Sequence, residues 1–172
     1  MDEVVVRPPT ADELPVLQDI EVAAGRLFAE RGMALVAEHD PFTIEELRGF
    51  VERRMAWVAA PPVGAPVAYL VAEVIDGAGH VEQLTVHPGH AGKRLGVRLM
   101  DHFGGWCEGR GLPAVTLTTF AEVPWNRPYY ERLGFRVLGD DEVTPGLVAI
   151  RTYEDAIGLD AWPRVCMRRE IG

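Results

Sequence analysis

The segment Val86-His87-Pro88-Gly89-His90-Ala91-Gly92-Lys93-Arg94-Leu95-Gly96-Val97 combines spaced glycines with two adjacent cations. It leaves a strand-like run and enters a helix-like one. A helix start presents unpaired backbone N–H groups and a partial positive charge, which together suit a phosphate. Gly92 and Gly96 let the backbone come close to a ligand, and Lys93 and Arg94 add positive charge. The helix dipole alone contributes about 0.3–1 kcal/mol, so a diphosphate needs several N–H groups acting together. A loop of the G-x-x-x-x-G-K-[ST] type does not fit, because two residues separate Gly89 from Gly92 and Arg94 follows Lys93. No G-x-G-x-x-G can be laid on these residues either. The competing reading is an ordinary strand-to-helix loop with a basic cap.

The flanking sequence supplies the elements that must position this loop. Val4-Val5-Val6 reads as a strand ended by Pro8-Pro9. Thr10 with Glu13, and later Thr43 with Glu46, are capping-box spacings. The first opens a helix with Leu14, Leu17, Ile20, Ala24 and Leu27 on one stripe, ending near Arg31-Gly32. The second opens a helix with Ile44, Leu47 and Val51. Strands are predicted over Ala56–Ala60, Val67–Ile75 and Val81–Val86, with Pro-rich 60–66 as a hairpin connection and Asp76-Gly77-Ala78-Gly79 as a turn. In the last strand Glu82, Leu84 and Val86 share one face, while Gln83 and Thr85 share the other. Leu95, Leu99, Phe103 and Trp106 line the next helix. Ala114–Thr119 is a strand, Pro128–Leu133 a short helix, Phe135–Leu138 a strand, Pro145–Ile157 a helix and Val165–Arg168 a closing strand. This order implies a mixed α/β sheet with helices on both faces, built as a single domain over 1–172.

Composition narrows the functional classes. Net charge is −9, from 17 basic and 26 acidic residues. That balance argues against non-specific nucleic-acid binding and favours a cationic small molecule such as an amine. Cys107 and Cys166 form no disulfide framework. His39, His80, His87, His90 and His102 show no metal-ligand spacing, so no metal is expected. No apolar run approaches the roughly 18–20 residues that span a bilayer. Met1-Asp2-Glu3 is acidic where a secretory leader is basic, so the cytoplasm is the expected location.

The loop resembles motif A of the GNAT superfamily of N-acetyltransferases. Gly92 and Gly96 agree with that pattern, while Ala91 stands where the family prefers Gln or Arg, and Arg94 where it prefers Gly. The run from Thr118 to Phe135, containing Pro124-Trp125-Asn126-Arg127-Pro128-Tyr129-Tyr130-Glu131-Arg132-Leu133-Gly134-Phe135, is similar to the family's motif B in a form found in a bacterial subgroup. The element order agrees with the family's mixed, mostly antiparallel sheet along the whole chain.

The resemblance implies an acetyl-coenzyme A-dependent N-acetyltransferase working by direct attack of a primary amine, with acetyl-CoA as co-substrate. It implies that Leu84, Thr85 and Val86 pair with the pantetheine arm, and that Gly92, Lys93, Arg94, Leu95, Gly96 and Val97 hold the pyrophosphate, with the Arg94 side chain reaching a phosphate. Asn126 would bond the pantetheine arm, or else cap a helix. Tyr130 would be the general acid, with Tyr129 as the alternative. Glu82 would take the amine proton, with Glu73 and Glu122 as competitors. The region Phe28–Phe42 would shape the acceptor pocket. Aminoglycosides, polyamines, amino acids and protein N-termini all remain open as acceptors, and homodimers are common in the family. A non-catalytic acyl-CoA sensor on the same fold is the second reading.

Overall fold

The structure, a computed structural model, describes residues 3–171. Seven strands form one mixed sheet in the order β1-β2-β3-β4-β5-β7-β6. They are β1 (Val5–Arg7), β2 (Ala56–Ala60), β3 (Ala68–Ile75), β4 (Ala78–Val86), β5 (Ala114–Phe120), β6 (Arg136–Val137) and β7 (Arg164–Glu170). The helices are α1 (Leu14–Ala29), α2 (Ala34–Ala37), α3 (Ile44–Glu52), α4 (Leu95–Gly109), α5 (Arg127–Arg132) and α6 (Pro145–Ala156). β4 runs parallel to β5, whereas the β1–β2, β2–β3, β5–β7 and β6–β7 pairs are antiparallel. The mixed, mostly antiparallel sheet expected from the sequence is what forms.

The chain packs as two compact units. One comprises the chain up to Glu73 together with Glu82–Phe103. Its sheet is sandwiched between helices. Val58 and Tyr69, directly paired across β2 and β3, face Leu14, Leu17 and Ile20 of α1 and Leu47 and Phe50 of α3. The neighbouring Trp57 turns to the opposite face, where its ring packs 5.4 Å from Phe103 and 5.9 Å from His102 of α4. Alternation along a strand produces these two faces. Burying each large aliphatic side chain contributes about 1.5–3 kcal/mol.

Both capping spacings are used. Thr43 and Glu46 exchange hydrogen bonds at 3.1 Å to start α3. At the other site the Glu13 carboxylate accepts the Thr10 N–H at 2.9 Å, but a short 3-10 turn, Ala11–Glu13, precedes α1. Glu13 also takes both nitrogens of the Arg7 guanidinium at 2.8 Å, a bidentate pair joining β1 to the start of α1. The predicted Phe28–Phe42 connection contains an extra helical turn, α2, which no periodicity announced.

The other unit comprises Val74–Val81 and the chain from Gly104 onward. The predicted four-residue turn is wrong: Asp76 and Gly77 alone turn the chain, at φ 52° and 77°, and Ala78, Gly79 and His80 already belong to β4. Two positive φ values match a type I′ turn, whose twist suits the strands on either side. Asp76 also accepts the Gly146 N–H at 2.7 Å, and a side chain at Gly146 would overlap Ile75 and Asp76. The start of α6 therefore sits directly on this turn. Leu138, Leu147 and Cys166 form the core beneath α6.

Candidate functional site

In the first unit, the end of β4 is fixed by the His87 N–H, which donates to the Val67 carbonyl at 2.9 Å. The His87 ring then accepts the Gly89 N–H at 3.0 Å, and Pro88–His90 makes one 3-10 turn. Beyond it, Gly92 has φ 80° and Arg94 φ 59°, both in the left-handed region. With these backbone settings the chain turns into α4, whose first hydrogen bond runs from Arg98 N–H to the Arg94 carbonyl at 3.1 Å. The amides of Leu95, Gly96 and Val97 thus fall in the first turn, where a helix leaves its N–H groups without internal partners.

Residues 91–94 are exposed, whereas Leu95 and Gly96 are buried. Lys93 Nζ lies 3.2 Å from His90 Nδ1. The left-handed φ at Arg94 explains why glycine suits this position, since a side chain there costs about 1–2 kcal/mol. In β4, Thr85 is buried and its hydroxyl accepts from Gln83 Nε2 at 2.6 Å; Glu82, Leu84 and Val86 are half-buried. Of the other two carboxylates weighed as bases, Glu73 is half-buried in β3 and Glu122 is exposed beyond β5.

In the second unit, α5 carries the motif residues. Asn126 occupies the position before the helix, yet its side chain makes no capping bond. Its Oδ1 is buried without a hydrogen-bond partner in the protein. An orphaned acceptor of this kind is costly, and a donor from a bound molecule could satisfy it. Tyr130 is buried, with its ring 5.3 Å from Tyr129 and 5.8 Å from Phe135. Burial, and then the neighbouring Tyr129, push the Tyr130 phenol above its usual range, so it holds its proton at neutral pH. Tyr129 is half-buried, with Arg132 placed 5.8 Å from its ring centre. Gly134, at φ 94°, closes this helix.

The sequence reading missed Glu21 and Tyr69, which lie in the first unit. Glu21 stands four residues after Leu17 on the apolar stripe of α1, a spacing that could have flagged it. Among the described residues, no group of three or more His, Cys, Asp or Glu side chains could hold a metal ion. Among the same residues, no helix is long and apolar enough to cross a membrane.

Comparison with known proteins gives this geometry its class. The profile of the acetyltransferase (GNAT) family matches residues 17–135, and the chain belongs to that family. Its structure is similar to that of the PaiA N-acetyltransferase from Thermoplasma acidophilum in complex with coenzyme A. The identity is 15%, the TM-score 0.71, and the match covers 98% of this chain and 99% of that one. It is also similar to the ribosomal-protein-S18-alanine N-acetyltransferase from Escherichia coli, at 16% identity and a TM-score of 0.68, covering 99% and 95% of the two chains. N-acetylglutamate synthase from Neisseria gonorrhoeae, complexed with coenzyme A and N-acetyl-glutamate, matches at 17% identity and a TM-score of 0.69 over 99% of this chain and 35% of its own. At such identities these structures share the fold. Membership of this family makes the protein an acetyl-CoA-dependent N-acetyltransferase.

Proposed function

We propose that the acceptor is a primary amine on a small cationic molecule, acetylated by direct attack in the cytoplasm by a single domain spanning 1–172. Acetyl-CoA supplies the activated acetyl group as a thioester. The chain's own residues do the rest. The first-turn amides of Leu95, Gly96 and Val97, with Gly92, Lys93 and Arg94, bind the pyrophosphate. The β4 backbone at Leu84, Thr85 and Val86 pairs with the pantetheine arm as an added strand does, and Asn126 accepts one of its amides.

Tyr130 donates the proton that the departing sulfur needs, and Glu82 receives a proton from the incoming amine. The observation that carries this reading is the buried Asn126 Oδ1, which no protein donor satisfies, four residues before the buried Tyr130 phenol of α5. The net charge of −9 supports a cationic acceptor.

Thiol release from acetyl-CoA across a panel of amines tests the proposal. Tyr130→Phe is expected to lower kcat by more than about tenfold with acetyl-CoA binding nearly unchanged. Unaltered kcat removes Tyr130 from the mechanism. Sedimentation of the same preparation settles whether the protein is a homodimer.

A further inference from the structure

Glu21 stands on the core-facing stripe of α1, next to Ile20, and not among the solvent-facing charges of that helix. Its Oε2 accepts the Phe42 N–H at 3.1 Å, and Gln18, one turn earlier, donates to the Phe42 carbonyl at 2.9 Å. α1 therefore holds Phe42 by both its N–H and its carbonyl. The Phe42 ring packs edge-on against Phe50 at 5.4 Å, which seats the grip on the core.

Tyr69 of β3 is fully buried close by. Its hydroxyl has Thr85 and the Glu21 carboxylate as polar neighbours, yet forms no hydrogen bond of good geometry with either. Burial raises the Glu21 pKa, against the lowering effects of the Phe42 N–H, Tyr69 and His39, while Glu46 adds like charge. A half-buried carboxylate with so little compensation gains from a cation brought to it.

The geometry points to Glu21 as the residue that binds an ammonium group of the acceptor, beside the buried Tyr69 hydroxyl, whose other polar neighbour is Thr85. This rests on the reading that β4 carries the acyl arm at Leu84–Val86, because Thr85 lies in that stretch. The bound ammonium is not the nitrogen that becomes acetylated. Pairing with a carboxylate favours the charged form of an amine, whereas the attacking nitrogen must be neutral. The acceptor class is therefore a molecule with at least two amino groups, one held charged at Glu21 while the other reacts.

The test is calorimetric titration of the coenzyme A-loaded protein with 1,4-diaminobutane and with butylamine, after a first titration of the protein with acetyl-CoA. The wild type is expected to prefer the diamine. In Glu21→Gln the diamine Kd should rise about tenfold or more, with butylamine unaffected. Glutamine still accepts the Phe42 N–H, and it removes a charge that burial disfavours, so Tm at pH 7 should hold or rise.

Binding of acetyl-CoA without a preference for the diamine overturns the inference alone, as does a Glu21→Gln Kd within twofold of wild type. A fall in Tm alongside the fall in affinity assigns Glu21 to loop anchoring and overturns it too. Failure to bind acetyl-CoA overturns the coenzyme reading, and this inference with it.

Discussion

Phe135 closes the helix that carries Tyr130: its N–H donates to the Tyr130 carbonyl at 3.1 Å, and the two rings meet edge-on at 5.8 Å. Gly134 between them has φ 94°, the left-handed setting that lets a chain turn off a helix end while the following residue bonds back. The spacing Tyr-Glu-Arg-Leu-Gly-Phe is thus a physical unit. The glycine ends α5, and the phenylalanine packs against the Tyr130 ring. Gly134→Ala is expected to cost about 1–2 kcal/mol, because alanine would have to adopt this left-handed φ. Thermal melts should show Tm lower by roughly 2–6 °C, and kcat should fall as Tyr130 loses its support. An alanine variant with wild-type Tm and kcat would show that the turn tolerates a side chain.

Much of this arrangement was legible because the decisive signals are local. The capping pair Thr43–Glu46, the stripe Leu14, Leu17, Ile20 and the stripe Leu95, Leu99, Phe103 each follow from short-range geometry, and all appear as expected. The start of β4 was misplaced because Ala78 and Gly79 look like turn residues. Burial decides there, and small residues fit a strand covered on both faces. Glu21 was passed over because a carboxylate on a helix is ordinarily solvated. Its environment comes from Phe42 and Tyr69, far away in sequence, and no local pattern encodes such a meeting. The left-handed φ of Arg94 was equally hidden, although its place in a glycine-preferring position hinted at it.

Arg94 combines a strained backbone with an exposed cation, and two substitutions separate these. Arg94→Gly relieves the left-handed φ and should raise the Tm of the free protein. Arg94→Ala keeps the strain and loses only the guanidinium. Both variants are expected to bind acetyl-CoA several-fold more weakly, with a flatter dependence on salt, since an exposed charge acts through a screened field. Equal affinity and equal salt slope across wild type and both variants would leave the phosphates to the backbone amides alone.

Asn126 separates a structural role from a binding role in one substitution. If its side chain capped α5, Asn126→Ala would cost about 0.5–2 kcal/mol in the free protein. Its Oδ1 is instead buried without a protein partner, so the free protein should keep its Tm or gain slightly. The coenzyme-induced rise in Tm, which reports affinity through mass action, should shrink. Melting curves with and without coenzyme A give both numbers. A large loss of stability without coenzyme would return Asn126 to the capping role.

The Arg7–Glu13 pair sets a dependence on pH that is independent of catalysis. The hydrogen-bonded guanidinium, ahead of the Thr10 N–H and direct charge attraction, pulls the Glu13 pKa from 4.5 down to about 2, against the opposing effect of burial. A carboxylate that is more acidic folded than unfolded stabilises the fold in full only where it is ionised in both states. Its contribution is therefore complete above pH 4.5 and is lost as pH falls through about 2. Glu13→Gln still offers an acceptor to the Thr10 N–H but carries no charge for Arg7. Urea denaturation should find this variant less stable than wild type at pH 7, with the gap narrowing below pH 4.5 and closing near pH 2. A gap that stays constant across that range would mean that the hydrogen bonds alone, without the ion pair, tie β1 to the start of α1.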